Sequence, residues 1–251
     1  MKDKYTKDGF VVLEQDKNWQ ALKNEICYQF TRIFTNAAAN KIPAALCWNI
    51  GEPNKIQKID TVHMLSHSVY RLIFSPSLIQ YIINLTGAHK IQLNSSHLFF
   101  KPAHSGNSGN VGWHTDYKNS RCNKLNIIVA CIPLNPISKH SGNMKFVKGS
   151  HLWSGNTEHD FNDGAPCDLE LQTQKLVDIT PDNVGYQEVY AYSNNNEFSI
   201  HNGNTWHCSG PNSSDVFRLS LSISLHIQTD AFGYCLPDNV RNPIIYNKSY
   251  L

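Results

Sequence analysis

Two histidines and an aspartate, one of the histidines far from the other two residues in sequence, are the residues best suited to metal chemistry. The segment Gly112-Trp-His-Thr-Asp-Tyr117 places His114 and Asp116 two positions apart. In an extended segment these side chains point to the same side, roughly 6–7 Å apart along the chain, so both can reach one ion. His207, in Asn204-Thr-Trp-His-Cys-Ser-Gly-Pro-Asn212, offers a second imidazole. Two histidines and one carboxylate form the facial triad that binds Fe(II) and leaves coordination positions open for dioxygen chemistry.

The histidine–aspartate pair is a weak signal by itself, because the sequence contains 12 histidines. His201 is a rival for the second imidazole, but Asn202-Gly203 follows it and predicts that His201 lies on a neighbouring strand or turn. Cys208 is interpreted as a packed thiol on the opposite face from His207. The remaining histidines are interpreted mostly as ordinary core or surface residues, including His63, His67, His89, His159 and His226.

One predicted strand near the C-terminus has a strict alternation of side chains. In Phe217-Arg-Leu-Ser-Leu-Ser-Ile-Ser-Leu-His-Ile227 every odd position is apolar and every even position is polar. Because strand side chains alternate between faces, the polar residues share one surface: Arg218, Ser220, Ser222, Ser224 and His226. For a strand taken in isolation, the favoured interpretation is a solvated polar face at a sheet edge. The alternative is the wall of a small-molecule cavity.

Several motifs in register resemble one protein family. They are Lys7-Asp-Gly-Phe-Val-Val12, Trp113-His-Thr-Asp116, Ser141-Gly-Asn-Met144, Val147-Lys-Gly-Ser-His151, Gly203-Asn-Thr-Trp-His-Cys-Ser-Gly-Pro-Asn212 and Arg218. In this order and spacing, they resemble the phytanoyl-CoA dioxygenase family of Fe(II)/2-oxoglutarate-dependent oxygenases. The resemblance extends from about residue 7 to residue 228.

The resemblance implies a double-stranded β-helix, the jelly-roll of cupin-like proteins, with His114, Asp116 and His207 as the iron ligands. It implies Fe(II) as the cofactor and 2-oxoglutarate and O₂ as co-substrates. Arg218 would then pair with the distal carboxylate of 2-oxoglutarate, which suits a permanently charged guanidinium that can bind a carboxylate with two parallel hydrogen bonds. Ser220, on the same strand face, is expected to donate a further hydrogen bond, and Ser209 matches a position near the co-substrate.

Some positions depart from the family pattern or need an alternative interpretation. Asn126 and Ile128 stand where the family often has Thr and Trp against 2-oxoglutarate, and Asn126 is retained as a candidate contact. Lys101 matches a basic family position, although a solvated lysine at a strand end is the favoured interpretation. His151 is expected to be structural or substrate-facing, not a ligand. Asp116 is present where related halogenases have a small residue, which favours hydroxylation or another oxidation.

The order of predicted elements favours an α+β fold that is mainly β, with N-terminal helices packed on one sheet. We expect a single domain over 1–251, with a helical part at about 1–90, a jelly-roll core at about 91–228, a tail at 229–251 and a possible lid at 154–183. Helices are predicted around Trp19–Ile33, Val62–Leu72 and Pro76–Leu85. Strands are predicted over Ile91–Lys101, Leu125–Leu134, Met144–Val147, Phe198–His201 and Phe217–Ile227.

Composition argues against several classes of protein. The 22 basic and 20 acidic residues give a net charge of +2 without any basic run, so we expect no nucleic-acid partner. No apolar run could span a bilayer and the polar N-terminus does not resemble a signal peptide, so we expect no membrane association. The seven cysteines form no C-x-x-C pair. This pattern is typical of reduced thiols in a cytoplasmic protein.

These observations predict an oxygenase that acts on a small-molecule substrate. Asn94, Tyr117, Arg121 and the polar stretch 154–183 favour a small polar metabolite, amino-acid-like or a natural product, and no basic run suggests a site for CoA phosphates. One alternative is a zinc hydrolase built on the same triad, which leaves Arg218 unexplained. The other is a catalytically inactive, cupin-like binding protein.

Overall fold

The structure is a computed structural model that describes residues 1–35, 42–116, 126–153, 167–192, 196–230, 239 and 241–250. The α-helices are α1 (Lys2–Asp8), α2 (Trp19–Thr35), α3 (His67–Ile73), α4 (Pro76–Thr86) and α5 (Leu169–Asp178). The strands are β1 (Phe10–Glu14), β2 (Cys47–Trp48), β3 (Gln57–Asp60), β4 (Lys90–Lys101), β5 (Val111–His114), β6 (Asn126–Pro133), β7 (Met144–Val147), β8 (Glu188–Tyr190), β9 (Glu197–Asn202), β10 (His207–Ser209), β11 (Arg218–Gln228) and β12 (Ile244–Asn247). In these parts of the chain, no helix is long and apolar enough to cross a bilayer.

The strands form two antiparallel sheets. The major sheet has eight strands in the order β1-β9-β6-β11-β4-β3-β2, with β12 paired to β4, and the minor sheet has the order β5-β10-β7-β8. Apolar side chains from the inner faces of both sheets pack together, among them Val129 and Cys131 from the major sheet and Met144 and Phe146 from the minor sheet. The two sheets therefore face each other, as the predicted jelly-roll requires.

The helices α2, α3 and α4 cover the outer face of the major sheet. Trp19 and Ile26 of α2 pack in one core cluster with Leu219, Leu221 and Ile223 of β11. In α4 the predicted boundaries are confirmed, because Pro76 occupies the first turn and Gly87 ends the helix with a φ of 72°. The expected architecture, with helices on one face of a mainly β fold, is confirmed.

The N-terminal part, predicted to be mainly helical, also contains strands. It supplies three strands of the major sheet, since β1 pairs with β9 and β3 joins β4 to β2. The C-terminal tail also adds β12. These strands are short and lie near sheet edges, where alternation over two to five residues gives little sequence signal.

The stretch 154–183 is not a continuous loop. Residues Leu169–Asp178 form α5, whose first turn is capped by Asp168 through backbone N–H groups of Glu170 and Leu171. The helix packs against β5, because the Trp113 backbone N–H donates to Gln172 Oε1 at 2.9 Å. The stretch predicted as a possible lid therefore contains the helix α5, and its residues 154–166 lie outside the described residues.

The solvated-edge interpretation of the alternating strand is also wrong. This strand, β11, lies in the interior of the major sheet between β4 and β6. Its apolar face packs under the helices, and its polar face points between the two sheets, where Arg218 and Ser220 are buried and line a cavity. Both faces of the strand are buried. The alternation of side chains indicates that the strand has two different faces, but it cannot show what covers the polar face.

Candidate metal and co-substrate site

The minor sheet brings the predicted metal ligands together. His114 ends β5, His207 begins β10, and the two residues are cross-strand partners. Their ring centroids lie 4.1 Å apart. Asp116 follows β5, and one potential ligand atom from each of His114, Asp116 and His207 lies within 4.8 Å of the others. Residues that are distant in sequence thus form one compact group of two nitrogens and one carboxylate oxygen.

Hydrogen bonds orient both imidazoles for metal binding. His114 Nδ1 donates to the Gly112 carbonyl at 2.8 Å, and His207 Nδ1 donates to the Thr205 carbonyl at 2.9 Å. Because a carbonyl can only accept, each Nδ1 carries a proton, and Nε2 is the nitrogen through which each ring can bind a metal. Burial, reinforced by the His114 imidazole, holds the pKa of His207 well below its usual range, so its ring is neutral at pH 7.

The carboxylate of Asp116 lies next to these lone pairs. Burial by itself would raise its pKa, but the imidazoles of His207, His201 and His114 hold the pKa well below its usual range. Asp116 Oδ2 is 3.6 Å from His207 Nε2, which bears a lone pair rather than a proton. A cation between these two electron-rich atoms would stabilise an arrangement that is otherwise unfavourable.

His201, the alternative candidate for the second imidazole, lies on a different strand from His207. It lies on β9 in the major sheet, fully buried, and its Nε2 donates to Asp116 Oδ2 at 2.9 Å. It therefore orients the carboxylate of a candidate ligand, while His207 occupies the ligand position. Such hydrogen bonds outside the coordination sphere fix the direction of a ligating carboxylate. The sequence gives no local signal for this contact, which joins residues of opposite sheets.

Arg218 presents a buried positive charge without a carboxylate. Its side chain is 4% exposed and its Nη1 donates to the Gly142 carbonyl. In the described part of the chain its Nε has no hydrogen-bond partner, and no acidic side chain pairs with it. Burial lowers the pKa of the guanidinium from its ordinary value. A buried, unpaired guanidinium is costly unless an anion binds to it, which makes this position a candidate anion site.

Gly142 explains why the Ser141-Gly-Asn segment approaches Arg218 so closely. Its φ of +71° lies in the left-handed region, and a Cβ at this position would be 2.7 Å from the Gly210 carbonyl oxygen and 3.1 Å from Lys101 Cδ. Only glycine fits this conformation and this space without strain. The backbone carbonyl of Gly142 can then accept from the guanidinium.

Lys101 is buried, and the interpretation as a solvated strand-end lysine is wrong. It is the cross-strand partner of Arg218 and only 3% exposed. Its Nζ donates to Ser209 Oγ at 2.7 Å, the Gly210 carbonyl at 2.6 Å and the Ser209 carbonyl at 3.3 Å. Burial and the neighbouring Arg218 charge hold the pKa of Lys101 well below its usual value. Two buried basic side chains therefore lie at one end of the site.

The other predicted co-substrate contacts divide into two groups. Ser209 and Ser220 are buried and line the same cavity as Arg218. Asn126 does not line it, because Ile128 and Ala130, on the same face of β6, pack in the core beneath the helices. The cavity wall contains Val129 and Cys131 instead. The resemblance to the family therefore indicated the correct strand, β6, but the wrong face of that strand. Burial raises the pKa of the Cys131 thiol to about 12, so this thiol is neutral.

The cavity between the sheets has a volume of about 520 Å³. Its inner end contains the three candidate metal ligands and Arg218. Its outer end is lined by five side chains that the sequence analysis did not single out: Trp48, Lys58, Asp60, His97 and Phe99. Alternation along β4, where His97, Phe99 and Lys101 share a face, is the one sequence signal that could have indicated part of this set.

Other residues considered as candidates have structural roles. His151 Nε2 donates to the Thr6 carbonyl at 3.1 Å. A Cβ at Gly9 would lie 2.5 Å from His151 Nδ1, so this glycine allows the N-terminal segment to pack there. His151 therefore stabilises the N-terminus rather than ligating iron, as expected. Tyr117 and Arg121, which favoured a polar substrate, lie outside the described residues.

The site fits iron and 2-oxoglutarate on its own chemistry. Two imidazoles oriented to ligate through Nε2 and one carboxylate suit Fe(II) and leave coordination positions open. The buried guanidinium in the same cavity requires an anion, and 2-oxoglutarate has a carboxylate at each end. The triad would hold the metal, and Arg218 would hold the distal carboxylate of the co-substrate.

Comparisons with solved structures agree with this fold. A crystal structure of the non-heme α-ketoglutarate-dependent carbocyclase SnoK from nogalamycin biosynthesis has 17% sequence identity and a TM-score of 0.70, covering 96% of this chain and 94% of that one. The epimerase SnoN from the same biosynthesis has 16% identity and a TM-score of 0.66, covering 97% of this chain and 96% of that chain. EctD from S. alaskensis, solved with 2-oxoglutarate and 5-hydroxyectoine, has 18% identity and a TM-score of 0.66, covering 89% and 74%.

These similarities establish the fold. No curated protein sequence matches this chain. The sequence model of the phytanoyl-CoA dioxygenase family, however, matches residues 5–220. That range includes all three candidate metal ligands and Arg218, and it ends three residues into β11. The family uses Fe(II), 2-oxoglutarate and O₂. The chain therefore belongs to the phytanoyl-CoA dioxygenase family.

Proposed function

We propose that this protein is a 2-oxoglutarate-dependent dioxygenase that hydroxylates, or otherwise oxidises, an unactivated C–H bond of a small polar metabolite, amino-acid-like or a natural product. The observation that supports this most strongly is the shared cavity. It combines the His114–Asp116–His207 group with a buried guanidinium that has no acidic partner among the described residues. When bound, iron and 2-oxoglutarate supply oxidation by O₂ with formation of succinate and CO₂.

The residues of the chain have distinct tasks in this proposal. His114, Asp116 and His207 hold the metal, and His201 fixes the direction of the Asp116 carboxylate. Arg218 anchors the co-substrate, with Ser220 beside it on the same strand face. Lys101 and Ser209 form a buried pair that supports the positive end of the cavity. Val129 and Met144 form apolar parts of the cavity wall, and a wall of low polarity strengthens the electrostatic contacts beside it.

The test is a metabolite screen with the anaerobically Fe(II)-loaded protein, in which substrate- and 2-oxoglutarate-dependent succinate formation is measured after O₂ is admitted. We expect succinate above the uncoupled background with at least one metabolite, and loss of that signal in Asp116→Ala. SnoK and SnoN are described as an α-ketoglutarate-dependent carbocyclase and epimerase. Product analysis must therefore follow, to establish whether a hydroxyl group, a ring or an inverted centre is formed.

The second candidate is a catalytically inactive, cupin-like binding protein. The buried, unpaired Arg218 is compatible with it, because an anion could bind there without turnover. Binding of iron and 2-oxoglutarate without succinate formation from any metabolite would favour this alternative.

We place the activity in the cytoplasm, since the five cysteines in the described part of the chain are free thiols.

A further inference from the structure

The outer end of the cavity contains a defined set of side chains that iron and 2-oxoglutarate would not engage. We call it the outer group: Trp48, Lys58, Asp60, His97 and Phe99. Cross-strand pairing aligns its members, because Trp48 pairs with Lys58, Lys58 with Phe99, and Asp60 with His97. The group therefore forms one continuous patch across β2, β3 and β4.

Asp60 is held in a fixed orientation within the outer group. Its Oδ1 accepts from His97 Nδ1 at 2.6 Å and from Lys58 Nζ at 3.0 Å. The other imidazole nitrogen of His97 bonds to Ser95 Oγ at 2.9 Å, so the ring cannot turn freely. Asp60 Oδ2 has no hydrogen-bond partner among the described residues, and the side chain is 32% exposed. One oriented oxygen lone-pair site is therefore available to a ligand.

Trp48 supplies an apolar surface beside this acceptor. It is 43% exposed, whereas the other four tryptophans of the chain are buried. Lys58 Nζ lies 5.8 Å from the Trp48 ring centroid, which helps to hold the indole in place. Phe99 lines the same end of the cavity. An exposed tryptophan beside an oriented acceptor is typical of a site that binds a ring carrying a polar substituent.

The charges of the outer group favour a neutral ligand. Lys58 and Asp60 neutralise each other, and an ionic substituent would have to compete with this pair. A hydroxyl group can donate to the free oxygen of Asp60 and leave the pair intact. Although burial opposes ionisation, the bonds from His97 and Lys58 lower the pKa of Asp60, so the carboxylate acts as an acceptor at neutral pH.

We propose that the outer group is the recognition site for the primary substrate and selects a neutral, hydroxyl-bearing ring compound. The hydroxyl donates to Asp60 Oδ2 while the ring lies against Trp48. This inference rests on the proposed function and narrows its substrate class. It favours a neutral natural product over an amino-acid-like zwitterion, whose ammonium and carboxylate would both disturb the Lys58–Asp60 pair.

The test uses four naphthalenes that share one ring system: 2-naphthol, 2-methoxynaphthalene, 2-naphthoate and 2-naphthylmethylammonium. Each is titrated by equilibrium dialysis into the anaerobic Fe(II)–2-oxoglutarate complex of the full chain. We expect 2-naphthol to bind at least about tenfold more tightly than each of the other three, because it alone donates a neutral hydroxyl to a charged acceptor.

Three variants assign the effect to the outer group. Asp60→Asn should abolish the preference for 2-naphthol over 2-methoxynaphthalene, because an amide N–H₂ replaces the free acceptor oxygen. Trp48→Ala should weaken binding of all four compounds to a similar extent. Asp215→Asn is the matched control, since Asp215 also pairs with a histidine, His104 at 3.0 Å, but does not line the cavity. It should bind the four compounds like wild type.

Several results would overturn the proposal. They are equal binding of 2-naphthol and 2-methoxynaphthalene, tightest binding of either ion, survival of the preference in Asp60→Asn, and no saturable binding of any of the four compounds. The iron–2-oxoglutarate charge-transfer absorption, recorded in the same wild-type samples, separates this failure from failure of the proposed function. A normal absorption band with no preference for 2-naphthol would contradict the proposed recognition site but not the proposed function. A missing band with an intact, Asp60-dependent preference would contradict the proposed function but not the recognition site.

Discussion

The two ends of the cavity differ in how the sequence builds them. At the inner end, His114 and Asp116 lie two residues apart on one strand and its extension, and His207 pairs with His114 on the adjacent strand. At the outer end, Trp48, Asp60 and His97 come from three strands, two of them short and near a sheet edge. The inner end has local motifs that determine chemistry, whereas the outer end depends on strand register. We therefore expect substitutions at one end of the cavity to leave binding at the other end largely unchanged.

Removal of a metal ligand should break the inner end completely. We expect His114→Ala, Asp116→Ala and His207→Ala each to abolish turnover, because two remaining protein ligands hold the ion weakly or in the wrong geometry. Iron content after anaerobic loading and desalting, together with 2-oxoglutarate-dependent succinate formation, measures this. Wild-type turnover with unchanged iron in any of the three variants would contradict the ligand assignment.

His201 should have a smaller effect on the same end. His201→Ala removes the hydrogen bond to Asp116 Oδ2, and we expect iron affinity to fall about 10- to 100-fold while saturating Fe(II) still fills the site. His201→Gln should recover part of the affinity, since its amide N–H can occupy the position of the Nε2 donor. Competition titrations with a colorimetric chelator give the affinities. If His201→Ala cannot bind iron while His207→Ala can, the second imidazole has been assigned wrongly.

These two histidines show what the sequence could and could not predict. His207 was identifiable because Cys208-Ser-Gly-Pro-Asn212 and Arg218 follow it in a recognisable pattern. The role of His201 was not, because its partner Asp116 follows a strand of the opposite sheet. Likewise, alternation revealed the two faces of β11, but only the position of β11 between β4 and β6 shows that its polar face is buried. The short strands β2, at the sheet edge, and β3, next to it, carry too few residues for a periodic signal.

Gly142 tests how the backbone supports the anion site. Gly142→Ala should lower the free energy of unfolding by about 1–2 kcal/mol for the left-handed conformation alone, and by more because its Cβ contacts backbone. It should also weaken 2-oxoglutarate binding several-fold, since its carbonyl accepts from Arg218. Denaturant unfolding and a 2-oxoglutarate titration measure the two effects.

Gly87→Ala is the matched control for this substitution. Gly87 has nearly the same φ, +72°, but no atom lies within 4 Å of a Cβ built there. It should lose about 1–2 kcal/mol of stability and keep wild-type affinity for 2-oxoglutarate. If the two variants bind 2-oxoglutarate equally well, the Gly142 carbonyl does not position Arg218.

The outer end should give the smallest effect on co-substrate binding. We expect Trp48→Ala to change the dissociation constant for 2-oxoglutarate by less than about twofold, equivalent to roughly 0.4 kcal/mol. The reason is that Trp48 lies on β2, two strands away from β4, where Lys101 is the cross-strand partner of Arg218. The same anaerobic titration measures it. A tenfold weakening would show that the two ends of the cavity are coupled and do not change independently.

The most direct test of the central claim is an anaerobic titration of the Fe(II) protein with 2-oxoglutarate, followed by the metal-to-ligand charge-transfer absorption. We expect Arg218→Ala to weaken binding about 10- to 100-fold, because it removes a charge-assisted contact worth roughly 1.5–3 kcal/mol. Arg218→Lys should recover only part, since an ammonium cannot form two parallel bonds to a carboxylate. Arg71→Ala, at an exposed arginine of α3, should titrate like wild type. A folded, iron-replete Arg218→Ala protein that also titrates like wild type would contradict the anchor role and the proposed function built on it.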